Sequence, residues 1–284
     1  MVAKHSLVLQ TDFGLDDGAV SAMYGVAKTI NQDLDIYDLT HNIPQYDIWT
    51  ASYRLYQTVK YWPAGTVFVS VVDPGVGSNR KSIAVKTKTG QYIITPDNGT
   101  ITHIAQYVGI ESVKEIDEAT DRLPGSEKSN TFHGRDVYVY NGAKLATDNT
   151  HFDNYQNELD VDAVRKLNIF PPVNREDEVS GTIDVLDIRY GSVWTNIPFS
   201  FFEKDDIKYG DIFDVVISHR GTPVFEKNIK FVKTFADVAL GEPLIYINSL
   251  VNIGIALNQK SFADTFDLGI GNDWKVDLRK VKGE

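Results

Sequence analysis

Leu7-Val8-Leu9-Gln10-Thr11-Asp12-Phe13-Gly14-Leu15-Asp16-Asp17-Gly18 is an apolar run that ends in a polar turn, and behind it Ala19, Val20, Met23, Val26, Ala27 and Ile30 recur at helical spacing. A buried strand feeding a helix through such a turn is the first half of a crossover unit. The pattern continues. Further strands are predicted over 35–39, 66–72, 82–87 and 92–95, and Ile48, Ala51, Leu55, Val59 and Trp62 mark a second crossover helix. Val137, Tyr140, Ala143 and Leu145 predict a later helix running from Gly134 or Arg135 to Ala146. Around residues 170–178 proline and charge interrupt the pattern, as a linker would. Short alternating segments follow over 181–187, 192–197, 211–218, 222–227 and 244–248. The expected architecture is therefore an α/β N-terminal domain with a mostly parallel central sheet (1–172), followed by a small C-terminal antiparallel β-barrel domain (179–284).

Composition narrows the functions. The 284 residues carry 28 basic and 39 acidic side chains, a net charge of −11, which argues against a nucleic-acid partner. With no cysteine, disulfides, thiolate metal sites and cysteine nucleophiles are excluded. No stretch of about 18 apolar residues predicts a membrane span, and the first residues do not read as a signal peptide. A soluble cytoplasmic protein is the expectation.

Several strands end in polar clusters: Asp12 after 7–11, Thr40-His41-Asn42 after 35–39, and Asp73 after 66–72. Ligands of open α/β sheets bind beyond the carboxyl ends of strands, so these side chains should share one rim, although Asp and Asn also serve as plain turn and cap residues. Asp16 or Asp17 suits a helix cap. Asp12, lying earlier, could accept both ribose hydroxyls, while Asp12, Asp16 and Asp17 together could hold a hard cation, as in calcium-dependent nucleoside hydrolases. In Asp73-Pro74-Gly75-Val76-Gly77-Ser78-Asn79-Arg80 the loop holds an acid and a guanidinium at its two ends, and it lacks the lysine of a phosphate loop. An adjacent Arg80 would keep Asp73 ionised, unless the two form an ordinary surface pair.

Thr131-Phe132-His133-Gly134-Arg135-Asp136 opens the later helix, and His133 there would tend to be neutral and able to exchange a proton. Arg135 and Asp136 read as a structural pair. Pro96-Asp97-Asn98-Gly99 is a turn whose Asp97 and Asn98 could also reach a pocket. In the second half, the stretch from Tyr190 through Trp194 to Asn196 and Tyr246-Ile247-Asn248-Ser249 join aromatic faces to amides and hydroxyls, which suits an adenine ring, though Trp194 and Tyr246 equally suit a core.

Taken in order, Thr11-Asp12-Phe13-Gly14, Asp73-Pro74-Gly75-Val76-Gly77, Pro96-Asp97-Asn98-Gly99, Thr131 to Asp136, Val193-Trp194-Thr195-Asn196 and Asn248-Ser249 resemble the S-adenosyl-L-methionine (SAM) hydrolase family. These enzymes are also called SAM hydroxide adenosyltransferases and are related to fluorinase and chlorinase. The resemblance implies a cofactor-free, metal-free hydrolysis of SAM to adenosine and L-methionine by water attacking C5′. It implies a homotrimer with SAM between the N-terminal domain of one subunit and the barrel of its neighbour. Asp73, Arg80 and His133 would handle the water and Asp12 would hold the ribose. Phe13, Gly134 and Trp194 would line the substrate site, Asp187 and Ser249 would meet the methionine part, and the adenine would lie near Asn248 and Ala256-Leu257-Asn258. Halogenating relatives have Tyr where this chain has Asp73 and Ser where it has Gly134, so a carboxylate stands where a halide would sit, and like charges repel. The fluorinase has Arg after the Asn-Ser pair, where this chain has Leu250. The alternatives are a metal-dependent nucleoside hydrolase and a non-catalytic adenosine- or SAM-binding protein.

Overall fold

The structure is a computed structural model that describes residues 5–176, 178–205 and 207–281. The chain divides into two compact units, Met1–Leu167 and Asn168–Glu284.

In the first unit the order is β1 (Leu7–Thr11), α1 (Ala19–Ile30), β2 (Ile36–Thr40), α2 (Ile48–Val59), β3 (Val67–Val71), β4 (Ser82–Thr87), β5 (Tyr92–Pro96), α3 (Thr102–Tyr107) and β6 (Ile110–Ile116). A π-helical segment, Gly134–Val139, then runs into α4 (Tyr140–Thr147), and β7 (Asn157–Leu159) closes the unit. The sheet order is β2-β1-β3-β5-β4-β6-β7. Its heart is parallel: β1 pairs with β2 and with β3, and β3 with β5. The β4, β6 and β7 flank is antiparallel. All residues of β1 and β3 are buried, as expected of apolar runs covered on both faces, whereas β2 at the edge is half-exposed. Thr11 lies level with Val71, so the parallel register places Asp12 and Asp73 on the same rim, just beyond the strand ends. Helix α4 approaches the sheet closely at Gly142, where a Cβ would come within 2.3 Å of the Val69 side chain. Absence of a side chain there sets the depth at which the π-helical segment before α4 docks.

The second unit comprises β8 (Val173–Arg175), β9 (Glu178–Leu186), β10 (Val193–Pro198), α5 (Phe199–Lys204), β11 (Ile212–His219), β12 (Thr222–Phe231), β13 (Pro243–Ile247), β14 (Asn252–Leu257), α6 (Phe262–Phe266) and β15 (Gly271–Lys280). The order β10-β14-β13-β12-β11-β15-β9-β8, with β10 also paired to β9, is a closed seven-stranded barrel carrying β8 outside it. Every barrel pairing is antiparallel except β12 with β13. Alternation fills the interior with Val179, Ile183, Val193, Phe213, Val215 and Ile255. β8 lies within the proline- and charge-rich stretch read as a linker, and pairs with β9. Among the described residues no helix is long and apolar enough to cross a membrane.

Candidate active site

The β3 to β4 connection reverses the chain and returns Arg80 beside Asp73. Arg80 Nε lies 3.0 and 2.9 Å from the two Asp73 oxygens, and Nη2 donates to Oδ2 at 2.6 Å. Nη2 also lies 2.9 Å from His133 Nδ1, at the start of the π-helical segment. Nη1 donates to Glu118, which follows β6, and lies 3.4 Å from Ser82 Oγ. A guanidinium has five N–H groups, and those of Arg80 face Asp73, Glu118, Ser82 and His133 Nδ1, the last serving as acceptor only in the tautomer protonated at Nε2. Burial works against the Arg80 charge, but the hydrogen bonds to Asp73 outweigh it and hold the guanidinium firmly protonated. Arg80 thus joins Asp73, Glu118, Ser82 and His133 in one cluster.

The side chains of Asp73, Arg80 and His133 are 5%, 6% and 2% exposed. Tyr138 lies beneath them, its hydroxyl 3.3 Å from Asp73 Oδ2 and 3.0 Å from Ser82 Oγ, and burial first, then the Asp73 charge, keeps that phenol neutral. Neither Glu118, Ser82 nor Tyr138 was singled out from the sequence. Each is an ordinary residue type at an ordinary position, and only the sheet brings it to the cluster.

Glu118 Oε1 accepts from Ser82 Oγ at 2.5 Å, and Oε2 lies 3.4 Å from His133 Nδ1. Burial alone would raise the Glu118 carboxyl, but hydrogen bonds from His133, Ser82 and Arg80 bring it from 4.5 down to about 2. A carboxyl held below its unfolded value stabilises the fold above pH 4.5, and that stability is lost as pH falls towards about 2. Between those limits the wild type should lose about 2–3 kcal/mol more than Glu118→Gln, read from urea unfolding at each pH.

Asp73 and His133 line a cavity of about 350 Å³ with Asp12, Phe13, Tyr46 and Gly134 among its other walls. His133 Nε2 is buried and has no hydrogen-bond partner among the described residues. Asp12 Oδ2 accepts from the Tyr46 backbone N–H at 2.9 Å. Asp17 accepts from the Ala19 N–H at 2.8 Å in the turn before α1, but the N-cap position itself is held by Gly18 and not by either of the two expected aspartates. Among the described residues no group of three or more His, Asp or Glu side chains is arranged to hold a metal ion.

The turn carrying Asp12 and Phe13 is braced from below. Thr11 Oγ1 accepts from the Phe13 N–H at 3.2 Å and lies 2.8 Å from His41 Nδ1, while His41 Nε2 lies 2.9 Å from Asp38, which also binds the Tyr24 hydroxyl. His41, expected on the rim, is buried and acts as this brace. Asn98 likewise does not reach the cavity: its amide donates to the Val72 carbonyl at 2.8 Å and steadies the peptide before Asp73. Asp97 accepts from the Arg165 N–H at 2.8 Å. Arg135 and Asp136 form the expected pair, at 2.6 and 3.0 Å.

Phe13 meets Phe132 edge-to-face at 5.8 Å and roofs Gly134, where a Cβ would approach the Phe13 ring to 3.0 Å. Gly134→Ser should therefore push Phe13 outward. We expect a stability loss of about 1 kcal/mol, measured by urea unfolding.

The barrel has a larger cavity of about 1110 Å³, lined among others by Asp187, Trp194, Tyr246, Leu257 and Asn258. Trp194 Nε1 donates to the Tyr246 hydroxyl at 3.0 Å. Asp187 Oδ1 accepts from the Arg189 and Tyr190 N–H groups and shapes the turn at its mouth. Asn248 and Ser249 are not among its lining residues; the Asn248 side-chain oxygen Oδ1 accepts from the Leu250 and Asn252 N–H groups in the turn before β14.

The chain thus carries an α/β unit with an Asp–Arg–His cluster on its strand rim and, after it in sequence, a closed barrel with an aromatic-walled cavity. Residues 7–155 match the SAM hydroxide adenosyltransferase N-terminal domain and residues 181–275 its C-terminal domain. The chain belongs to the SAM hydroxide adenosyltransferase family. It is 37% identical over 237 residues to a protein of Methanocaldococcus jannaschii named (R)-S-adenosyl-L-methionine hydrolase, covering 81% of this chain and 80% of that one. It is 26% identical to a protein of Actinopolyspora mzabensis named fluorinase, covering 95% and 96%. The crystal structure of a conserved protein from Thermotoga maritima superposes with a TM-score of 0.85 at 31% identity, covering 96% of this chain and 99% of that one.

Proposed function

We propose that this protein hydrolyses SAM to adenosine and L-methionine, water attacking C5′ in line with the departing sulfur. The observation that carries this reading is the convergence of Asp73, Arg80 and His133, distant in sequence, at one cavity wall. The O–C5′ bond forms as the C5′–S bond breaks, and its electron pair goes to sulfur. The leaving group is a neutral thioether that needs no acid, so catalysis acts on the nucleophile and its alignment. Asp73 and His133 present the groups able to take the water's proton. Arg80 holds both, Asp12 takes the ribose hydroxyls with its remaining oxygen, and Phe13 and Gly134 shape the wall. An enzyme of ordinary power must lower the barrier by about 8 kcal/mol or more.

The reading extends to assembly. The functional unit is a homotrimer, with SAM held between the first unit of one copy and the barrel of its neighbour, where Asp187, Trp194, Asn248 and Ser249 serve the adenine and methionine ends. Light scattering should then give three times the chain mass.

Chromatography after incubation with SAM, with and without EDTA, is the test. Adenosine and methionine in both samples support the proposal. Free adenine from nucleosides, lost on chelation, would point to a metal-dependent nucleoside hydrolase, and SAM recovered intact to a binding protein.

A further inference from the structure

His133 Nδ1 stands at a fork. On one side, at 2.9 Å, is Arg80 Nη2, which can only donate; on the other, at 3.4 Å, is the Glu118 carboxylate, which can only accept. When Nδ1 accepts from Arg80, a neutral imidazole carries its proton on Nε2 and has no lone pair for water. When Nδ1–H is donated to Glu118, the Nε2 lone pair is free, and Nε2 is the buried, partnerless atom of a ring that lines the front cavity. Asp73 is less free to act. Its oxygens already receive Arg80 Nε and Nη2 and lie within reach of the Tyr138 hydroxyl.

Glu118 itself lines no part of the front cavity. It opens instead, with Arg80, Ser82 and Glu115, onto a separate cavity of about 300 Å³ that shares none of the lining residues of the first. At 26% exposure its carboxylate is the solvated member of a cluster whose other charged groups are nearly dry. Its position between Ser82 Oγ and Arg80 Nη1 fixes the direction from which it meets His133.

We propose that Glu118 is a positioning residue of the reaction: by accepting Nδ1–H of His133 it selects the tautomer whose Nε2 takes the proton from the attacking water. The inference rests on the SAM-hydrolase reading. In the step, the O–C5′ bond forms, the C5′–S pair goes to sulfur, the water's proton moves to His133 Nε2, and the imidazolium is held by Glu118 until products leave and the proton returns to solvent. Closing the 3.4 Å separation takes a small ring movement that carries Nδ1 off Arg80 Nη2, which keeps its 2.6 Å contact to Asp73, and catalytic hydrogen bonds commonly tighten in this way when substrate binds. The arrangement is that of a carboxylate orienting an imidazole from behind, as in acyl-transfer triads.

The test compares wild type, Glu118→Gln and Glu118→Asp in steady-state SAM hydrolysis, with 15N spectra of the histidines in wild-type protein saturated with adenosine and methionine. Expected are a fall in kcat of tenfold or more for Glu118→Gln with KM within twofold, partial recovery of kcat in Glu118→Asp, and a His133 signal protonated at Nδ1 in the wild type. A kcat within twofold of wild type in Glu118→Gln, a loss carried by KM alone, or a wild-type His133 protonated only at Nε2 would overturn the proposal, and the last holds even if the variants fail to fold. Failure of the wild type itself to release adenosine from SAM would instead remove the hydrolase reading on which the inference rests.

Discussion

Asp73→Asn should lower kcat for SAM hydrolysis by about 10³-fold while adenosine still binds. The amide keeps the shape of the carboxylate and one acceptor oxygen for Arg80, so the cavity wall survives. It loses the negative charge that faces the water and that aligns the guanidinium through contacts of 2.6 to 3.0 Å. The remaining amide NH₂ would meet the Arg80 donors or the Tyr138 hydroxyl, and either contact turns the water-binding face away from the position a nucleophile needs. Calorimetric titration with adenosine and chromatographic turnover with SAM separate the two effects. Turnover within tenfold of wild type would remove Asp73 from the chemistry.

Arg80→Met should be more damaging, because it strikes stability as well as rate. The methionine fills much of the arginine's volume but leaves the Asp73 and Glu118 carboxylates facing one another without their shared cation, one of them 5% and the other 26% exposed. Removing one member of a buried ion pair costs about 3–5 kcal/mol, since the partner charge stays desolvated. Urea unfolding should show a loss of that size, and kcat should fall about as far as in Asp73→Asn, because both candidate proton acceptors lose their anchor. A variant as stable as wild type would mean that the carboxylates find other partners, and the cluster would then not be held through Arg80.

Much of the frame was legible before any coordinates. The strand predicted over 7–11 is β1, that over 82–87 is β4, and the helical spacings beginning at Ala19 and Ile48 are those of α1 and α2. These segments are buried on one or both faces, so hydrophobic period alone defines them. β6, with Glu111, Lys114 and Glu115 among its seven residues, and β15, with charges through Asp273, Lys275, Asp277 and Arg279, were not singled out. Their outward faces are polar, and the alternation is diluted. The helix predicted from Gly134 begins instead as a π-helical segment, a local widening that a periodicity reading does not register and that is frequent beside functional groups.

The chemistry divides in the same manner. Asp73, Arg80 and His133 could be chosen because each sits at a strand end, a loop end or a helix start, where a reactive group is conspicuous. Glu118 could not: Asp117-Glu118 following a strand looks like any solvated turn. Its importance arises from β4 and β6 lying side by side, which sets Ser82 level with Ile116 and so carries the next turn to the outer flank of Arg80. Tyr138 is hidden for the opposite reason, being a fully buried aromatic that the pattern assigns to the core.

Closure of the barrel has a consequence for how copies of this chain can meet. A ring of strands joined from β10 round to β9 offers no free ladder of N–H and C=O groups, and β8 adds only three residues of edge. Strand-on-strand growth into fibres is thereby blocked on that half of the molecule, so its self-recognition must be written in side chains and loops, which can be altered one residue at a time without putting the backbone at risk.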